Sequence, residues 1–318
     1  MRKLIEANIE PNTKVFVAAD LDVVIKNGKI LESYRLESLL PTLNFIIKAG
    51  ATPVIGGHMG QPHGEYDEEL STKHLLPFFD ENLGKHSFEL LENLRFDKHE
   101  EENNLEYAKE IAHECLIYVN ENFSTSHRKN ASITQIPTFL PSYAGLHLQQ
   151  EIETLEGLAK NPNRPLVAIV GGKKLESKIP AINKLINISD FVLVGGKLGL
   201  DWTGEIPQNL VLAQDYVDVS KDIGEETITL FKDKIKSAKT IVWAGPMGQF
   251  EDSRYTRGNS AVAEAIIDSG AFSIVGGGDT IAALDSLKLL DKMGFVSTGG
   301  GAMLELIATG TISGIEVL

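Results

Sequence analysis

Apolar residues fall in short runs along this chain, and the runs change character between its two halves. In the second half five runs end in glycine: LVAIVGG (166–172), FVLVGG (191–196), TIVWAG (240–245), FSIVGGG (272–278) and FVSTGGG (295–301). Their length and β-branched content predict buried strands. SKIPAINKLI, EETITLFKDKIKSA, AVAEAIIDSG and TIAALDSLKLL lie between them and read as helices. Strand, glycine, helix in alternation predicts a parallel sheet with helices on both faces. Such a sheet gathers the glycine turns on its carboxyl edge, where open α/β sheets bind ligands. A glycine that merely ends a strand explains any one turn. Five on one edge point to a binding surface.

The first half keeps the rhythm but changes the chemistry. KVFVAADLD (14–22), ATPVIGGH (51–58), FELLENLRF (88–96) and CLIYVNENF (115–123) predict strands; RLESLLPTLNFIIKAG and NLEYAKEIAHE predict helices. These strands run into polar side chains: Asp20 and Asp22, His58, Arg95, and then His127 and Arg128. The expected fold class is therefore α/β, with two doubly wound (Rossmann-like) parallel-sheet domains joined by a helix and hinge. The join falls in PSYAGLHLQQEIETLEGLAKNPNRP (141–165), a helix candidate ending in a turn. The expected division is 1–145, a connecting helix and hinge at 146–162, and 163–318, with the C-terminal tail returning to the first domain. Residues 199–222 give no clear pattern beyond one candidate strand, NLVLAQDYV.

Composition narrows the partners. Thirty Lys and Arg against 44 Asp and Glu give a net charge of −14. That argues against non-specific nucleic-acid binding, which draws on cationic side chains, although a basic cleft can sit on an acidic body. The one cysteine, Cys115, excludes an internal disulfide framework and a multi-cysteine zinc site. No apolar run approaches the roughly 18 residues of a membrane span. The start, MRKLIEANIEPNT, lacks the apolar block of a signal peptide. The expected setting is cytoplasmic, with small-molecule substrates, no nucleic acid and no membrane.

The G-x-G-x-x-G dinucleotide fingerprint, the P-loop G-x-x-x-x-G-K-[ST] and H-E-x-x-H are all absent. VGGKKLESKI (170–179) places Lys174 and Lys178 four apart, so that on a helix they share one face and reach one anion near its N-terminus. A solvated lysine face has the same spacing. GGGDT (276–280) follows a strand and opens a helix, with Asp279 and Thr280 near the N-cap. Its glycines admit phosphates and Asp279 can reach Mg²⁺, or Asp279 simply caps the helix. STGGGA (297–302) is a second anion-sized nest or a tight turn, and Glu251 in WAGPMGQFE can bond a ribose or stand in solvent. Arg35, Arg95 and Arg128 offer guanidinium forks suited to carboxylate and phosphate oxygens.

Taken together and in order, these pieces resemble the phosphoglycerate kinase family over nearly the whole chain. The resemblance runs through ADLDVVIKNGKI, YRLESLLPTL, GGHMGQP, LLENLRF, YVNENFSTSHRKNAS, FLPSYAGLHLQQEIETL, NPNRPLVAIVGGKKLESKI, WAGPMGQFE, GGGDT and STGGGA. It implies a phosphotransferase with a carboxyl acceptor, in which hinge closure brings together a phosphoglycerate-binding N-terminal domain and a nucleotide-binding C-terminal domain. The reaction implied passes phosphate between 1,3-bisphosphoglycerate and ADP, giving 3-phosphoglycerate and ATP in glycolysis, with Mg²⁺ as cofactor and a monomeric enzyme. On that resemblance Asp20, Asp22, Arg35, His58, Gln61, Arg95, His127 and Arg128 bind substrate. Arg35, Lys174, Gly278 and Gly301 form the catalytic set. Lys174, Lys178, Glu251, Gly277, Gly278, Asp279 and Thr280 bind nucleotide, and Asp279 meets the metal.

The chain also departs from the family pattern. R-x-D-F-N-x-P reads Ala18-Ala19-Asp20-Leu21-Asp22-Val23-Val24, and H-L-G-R-P reads His58-Met59-Gly60-Gln61-Pro62. Asn130 replaces a histidine, Ala244 replaces an asparagine, and the region that builds part of the family's adenine pocket is compressed into 199–239. Each lost charge-assisted hydrogen bond costs on the order of 1.5–3 kcal/mol. Two such losses weaken substrate binding by roughly two to four orders of magnitude if additive. Two alternatives therefore stand beside phosphoglycerate kinase activity. One is a divergent paralogue that phosphorylates another small carboxylate. The other is a catalytically weak or inactive nucleotide-binding protein.

Overall fold

The computed structural model describes every residue except Asn27, Lys174, Leu175 and Ser177. The chain divides into two compact units, Met1–Thr154 with Thr311–Leu318, and Leu155–Gly310. The division falls inside the helix α2 (Leu146–Lys160).

The first unit is built on a parallel sheet of β1 (Lys14–Ala19), β2 (Thr52–Gly56), β3 (Glu89–Leu90), β4 (Cys115–Glu121) and β5 (Ser142–Ala144). Its strand order is β3-β2-β1-β4-β5. Side chains of β1 alternate between two cores, as a strand covered on both faces requires. Val15, Val17 and Ala19 join one apolar cluster; Phe16 and Ala18 join the other. Helix α1 (Tyr34–Lys48) buries Leu36, Leu39, Leu43 and Ile46, a helical spacing, against the first cluster. The C-terminal segment closes on this unit: Gly314 N donates to Ser126 O (2.7 Å), and Asn120 Nδ2 donates to Gly314 O (3.3 Å).

Two features here depart from the sequence pattern. FELLENLRF pairs as a strand only at Glu89–Leu90. The Asn93 side chain accepts from Arg95 N and starts a short 3₁₀ turn, Leu94–Phe96. Arg95 therefore leaves the sheet from a turn, not from a strand end.

The second unit holds a six-stranded parallel sheet of β6 (Leu166–Val170), β7 (Phe191–Val194), β8 (Leu210–Leu212), β9 (Thr240–Ala244), β10 (Phe272–Gly276) and β11 (Phe295–Ser297). Its order is β8-β7-β6-β9-β10-β11. Every residue of β6 and β9 is buried, the signature of central strands covered on both faces. The longer helices of this unit are α3 (Ile179–Ile188), α4 (Glu225–Ile235), α5 (Arg257–Ser269), α6 (Gly278–Ser286) and α7 (Gly300–Thr309). NLVLAQDYV divides into β8 and a separate segment, Tyr216–Val217, which pairs antiparallel with Asp222–Ile223. Among the described residues no helix is long and apolar enough to cross a membrane.

Candidate functional site

In the first unit the strand ends deliver a dense charged cluster. Asp20 follows β1 directly and is 1% exposed; Arg35, in the first turn of α1, is 9% exposed. Arg35 Nη1 donates to Asp20 Oδ1 (3.3 Å) and to the Asp22 carbonyl (2.8 Å), and lies 3.7 Å from Asp22 Oδ2. Asp22 Oδ1 accepts from Gly60 N (2.9 Å), while its Oδ2 lies 3.9 Å from His58 Nε2. Arg95 Nη1 donates to Gly60 O (3.1 Å), and its Nε faces Glu101 Oε1 at 3.5 Å. Loop 57–62 is thus held by Asp22 from one side and by Arg95 from the other.

Electrostatics give this cluster its character. Burial pushes the Asp20 carboxyl above its ordinary range, although the Arg35 guanidinium pulls it down. Burial also opposes the Arg35 charge, but Asp20 and Asp22 more than restore it. His58 is driven down to about 3, first by burial and then by Arg95, with Arg35 and Arg128 adding repulsion. His127 is lowered by burial and by Arg128. At neutral pH the two histidines therefore contribute N–H groups, not charge, and the positive potential is carried by arginines. Arg95 itself is lowered by burial, with Glu101 opposing that effect and Arg128 adding to it. Arg128 repels Arg95; Asp20 and Asp22 act on Arg35, and Glu101, Asp22 and Glu100 act on Arg95, so an incoming anion competes with carboxylates already in place. Asp20 Oδ2 and His127 Nδ1 are buried without a hydrogen bond of full geometry among the described residues, with the Ser124 hydroxyl close to Asp20 and the Ser124 backbone close to His127. Arg128 and Gln61 are exposed.

The second unit offers backbone. Helix α3 begins at Ile179, with Pro180 in its first turn, and Lys178 is its N-cap residue. A shared helical face for Lys174 and Lys178 is therefore not formed at Lys178, and Lys174 lies outside the described residues. Burial lowers the Lys178 amine, and Asp279 nearby partly restores it. Helix α6 (Gly278–Ser286) has Gly277 as its N-cap, with no side-chain capping bond. Asp279 is thus an exposed first-turn residue rather than the cap. The Gly278 and Asp279 N–H groups stand ahead of the helical ladder. Helix α7 (Gly300–Thr309) begins beside α6: a Cβ on Gly300 would lie 2.9 Å from Gly277 Cα. Two helix N-termini side by side favour negative charge.

The loops after β6 and β9 interlock. Gly171 N donates to Ala244 O (2.9 Å) and Gly172 N to Pro246 O (3.0 Å). Gly245 has φ +94° and a Cβ there would stand 2.2 Å from Gly171 O, so only glycine fits. Thr280 Oγ1 accepts from Gly245 N (2.8 Å), tying this loop to α6 and leaving its own proton for one further acceptor. Glu251 is exposed in the turn beyond Pro246, and Gly301 is exposed in α7.

The sequence reading passed over Asn93 and Asn122. Asn93 Nδ2 donates to Met59 O (2.7 Å) and Leu70 O (2.9 Å), so it holds the loop that carries His58. Asn122 Nδ2 donates to Ala19 O (3.0 Å), bracing the strand end beside Asp20. The only signal for Asn93 was its place two residues before Arg95.

The phosphoglycerate kinase family model matches residues 6–203 and 206–310. The chain belongs to the phosphoglycerate kinase family. It is thereby a member of a family of phosphotransferases. The phosphoglycerate kinase of Leptospira biflexa is 34% identical over 386 positions, covering 99% of this chain and 98% of that one. Rubrobacter xylanophilus phosphoglycerate kinase is 33% identical, covering 96% and 95%. The Coxiella burnetii phosphoglycerate kinase structure superposes with a TM-score of 0.79 at 31% identity, covering 99% and 98%. The Pyrococcus horikoshii enzyme gives 0.85 at 26% identity, covering 100% and 98%. The 386 positions aligned to the Leptospira protein exceed the 318 residues here, so this chain is shorter than that relative.

Proposed function

We propose that this protein is a phosphoglycerate kinase, passing phosphate between 1,3-bisphosphoglycerate and ADP to give 3-phosphoglycerate and ATP in glycolysis. The observation that carries the reading is the cluster of Arg35, Arg95 and Arg128 at the carboxyl edge of the first sheet, beside the buried Asp20 carboxylate and the neutral His58. Arg95 and Arg128 bind the anionic ends of the acceptor, and neutral His58 and His127 supply hydrogen bonds. Asp20 accepts from the substrate hydroxyl. Arg35 meets the transferring phosphoryl group with a guanidinium already oriented by Asp20 and the Asp22 carbonyl.

The second unit takes the nucleotide. Phosphates lie against the N–H groups at Gly277, Gly278 and Gly301, Lys178 neutralises them, and Glu251 reaches the ribose. Lys174 is assigned to the transferring oxygens on sequence alone. Phosphoryl transfer needs positioning and charge neutralisation more than it needs a base. Hinge closure brings the two ligands together and excludes water from the acyl phosphate. Mg²⁺ fits the donors present. Asp279 is an exposed carboxylate in the first turn of α6, and Mg²⁺ is commonly held by one or two carboxylates together with substrate phosphates. When bound, it neutralises phosphate charge. The reading takes the protein as a cytoplasmic monomer acting on small molecules.

One observation favours a second reading, a less anionic acceptor. The Asp22 carboxylate stands 3.7 Å from Arg35 and 3.9 Å from His58, where it competes with an incoming anion. A coupled assay with Mg-ATP and 3-phosphoglycerate tests the first reading. Saturable turnover supports it. No turnover at millimolar substrate rejects it, and turnover with another carboxylate establishes the second.

A further inference from the structure

A separate feature of the second unit is a cavity of about 110 Å³ where the loops after β6, β7 and β9 meet. Lys173, Lys197 and Lys221 line it, with Ser220 and Gln249, and no carboxylate is in its wall. The lysines come from three distant parts of a chain whose net charge is −14. Two of them are held by neighbours behind the wall. Lys197 pairs with Asp201. Lys221 Nζ sits 5.0 Å over the Tyr255 ring, whose hydroxyl bonds Asp218. Lys173 has no ion-pair partner among the described residues. Pockets for drug-sized ligands are typically about 300–1,000 Å³. This one is smaller, with three lysines in a wall that also holds Pro246 and Met247. At about 30 Å³ per water it has room for a few waters, or for one tetrahedral oxyanion in their place.

We propose that this cavity is a phosphate-binding subsite that takes a non-transferred phosphate of the phosphoryl donor. The proposal rests on the second unit being the donor side. The amino groups would form charge-assisted hydrogen bonds with phosphate oxygens, and Ser220 and Gln249 add neutral donors. A condensed phosphate satisfies the subsite with its own chain, whereas ADP brings an uncharged base and sugar to the same wall. The occupant is thus a phosphate oxyanion, either the end of a donor's phosphate chain or free phosphate.

Calorimetric titration of the full chain, with Mg²⁺, against inorganic tripolyphosphate, orthophosphate and ADP tests this. Tripolyphosphate should bind at least tenfold more tightly than ADP. The preference should vanish in a Lys173→Ala/Lys221→Ala double variant and return in the Lys173→Arg/Lys221→Arg variant, which also controls for folding. Orthophosphate binding that disappears in the alanine variant would support the subsite and assign free phosphate to it. Equal or tighter ADP binding by the wild type, or a tripolyphosphate preference that survives in the alanine variant, overturns the proposal. Turnover with Mg-ATP and 3-phosphoglycerate reports separately on the proposed function. An enzyme that turns over without the preference refutes only the subsite, and one that keeps the preference without turnover refutes only the reaction.

Discussion

The two sheets furnish their carboxyl edges in opposite ways. The first unit uses side chains. Its carboxyl edge carries Asp20, Asp22, Arg35, His58 and Arg95, each fixed by another. The second unit uses the main chain, with glycines packed so closely that a single methyl at Gly171, Gly245 or Gly300 would overlap backbone. A side-chain site can be retuned one charge at a time, since its backbone does not depend on the substituted atoms. A backbone site cannot be, because its fold and its ligand contacts use the same atoms. The departures at Ala18, Gln61, Asp22 and Asn130 fall in the first unit, whereas Ala244 and the compressed 199–239 region fall in the second.

The largest effect should come from Arg35. Arg35→Ala removes the partner of a buried carboxylate, which typically costs about 3–5 kcal/mol. Losing a donor aimed at developing charge lowers turnover by about 10²–10³-fold. Steady-state kinetics and urea unfolding read the two losses. Unchanged turnover would break the assignment of the first unit as the acceptor side.

Gly245→Ala tests the other half of the contrast. Its φ of +94° and the 2.2 Å approach to Gly171 O predict a loss of about 1–3 kcal/mol from strain of this kind. Thermal melting followed by Trp243 fluorescence should report it, since Trp243 lies in β9 beside the loop. A variant as stable as wild type would show that the glycine loops are looser than described.

Asp22→Asn sharpens the comparison from the side-chain end. Removing one carboxylate beside Arg35 and His58 should tighten 3-phosphoglycerate binding by about tenfold, the equivalent of ~1.4 kcal/mol. A rise in KM would show instead that Asp22 serves the substrate directly.

The last effect is the pH response of His58. Its folded value of about 3 lies below the ordinary 6.5, so between them the unfolded chain binds the extra proton. Stability from this group is complete above about 6.5 and is lost as pH falls toward 3. His58→Gln should flatten that slope in denaturant titrations at pH 5 and 7. In wild type the His58 ring proton should show no NMR titration down to pH 5.

Much of this was legible in the sequence because its signal is local. The five glycine-ended runs form strands by burial alone, and Arg35, His58 and Asp279 sit beside the elements that present them. The exceptions share a cause. FELLENLRF has strand-like residues throughout, but Asn93 captures Arg95 N and turns the chain. Lys178 keeps helical spacing from Lys174, but the helix starts one residue after Lys178, with Pro180 in its first turn. Lys173, Lys197 and Lys221 have no common motif, and only the tertiary fold brings them to one cavity.

The central claim is that phosphoryl groups pass between an acceptor at the arginine cluster and a nucleotide at the glycine loops. The most direct measurement is transfer of ³²P from γ-labelled Mg-ATP to 3-phosphoglycerate by the full chain, with the Arg35→Ala variant alongside. The account predicts label in an acyl phosphate product that hydroxylamine traps, and its near absence in the variant. Label released only as inorganic phosphate, or transfer that is equal in both proteins, would contradict it.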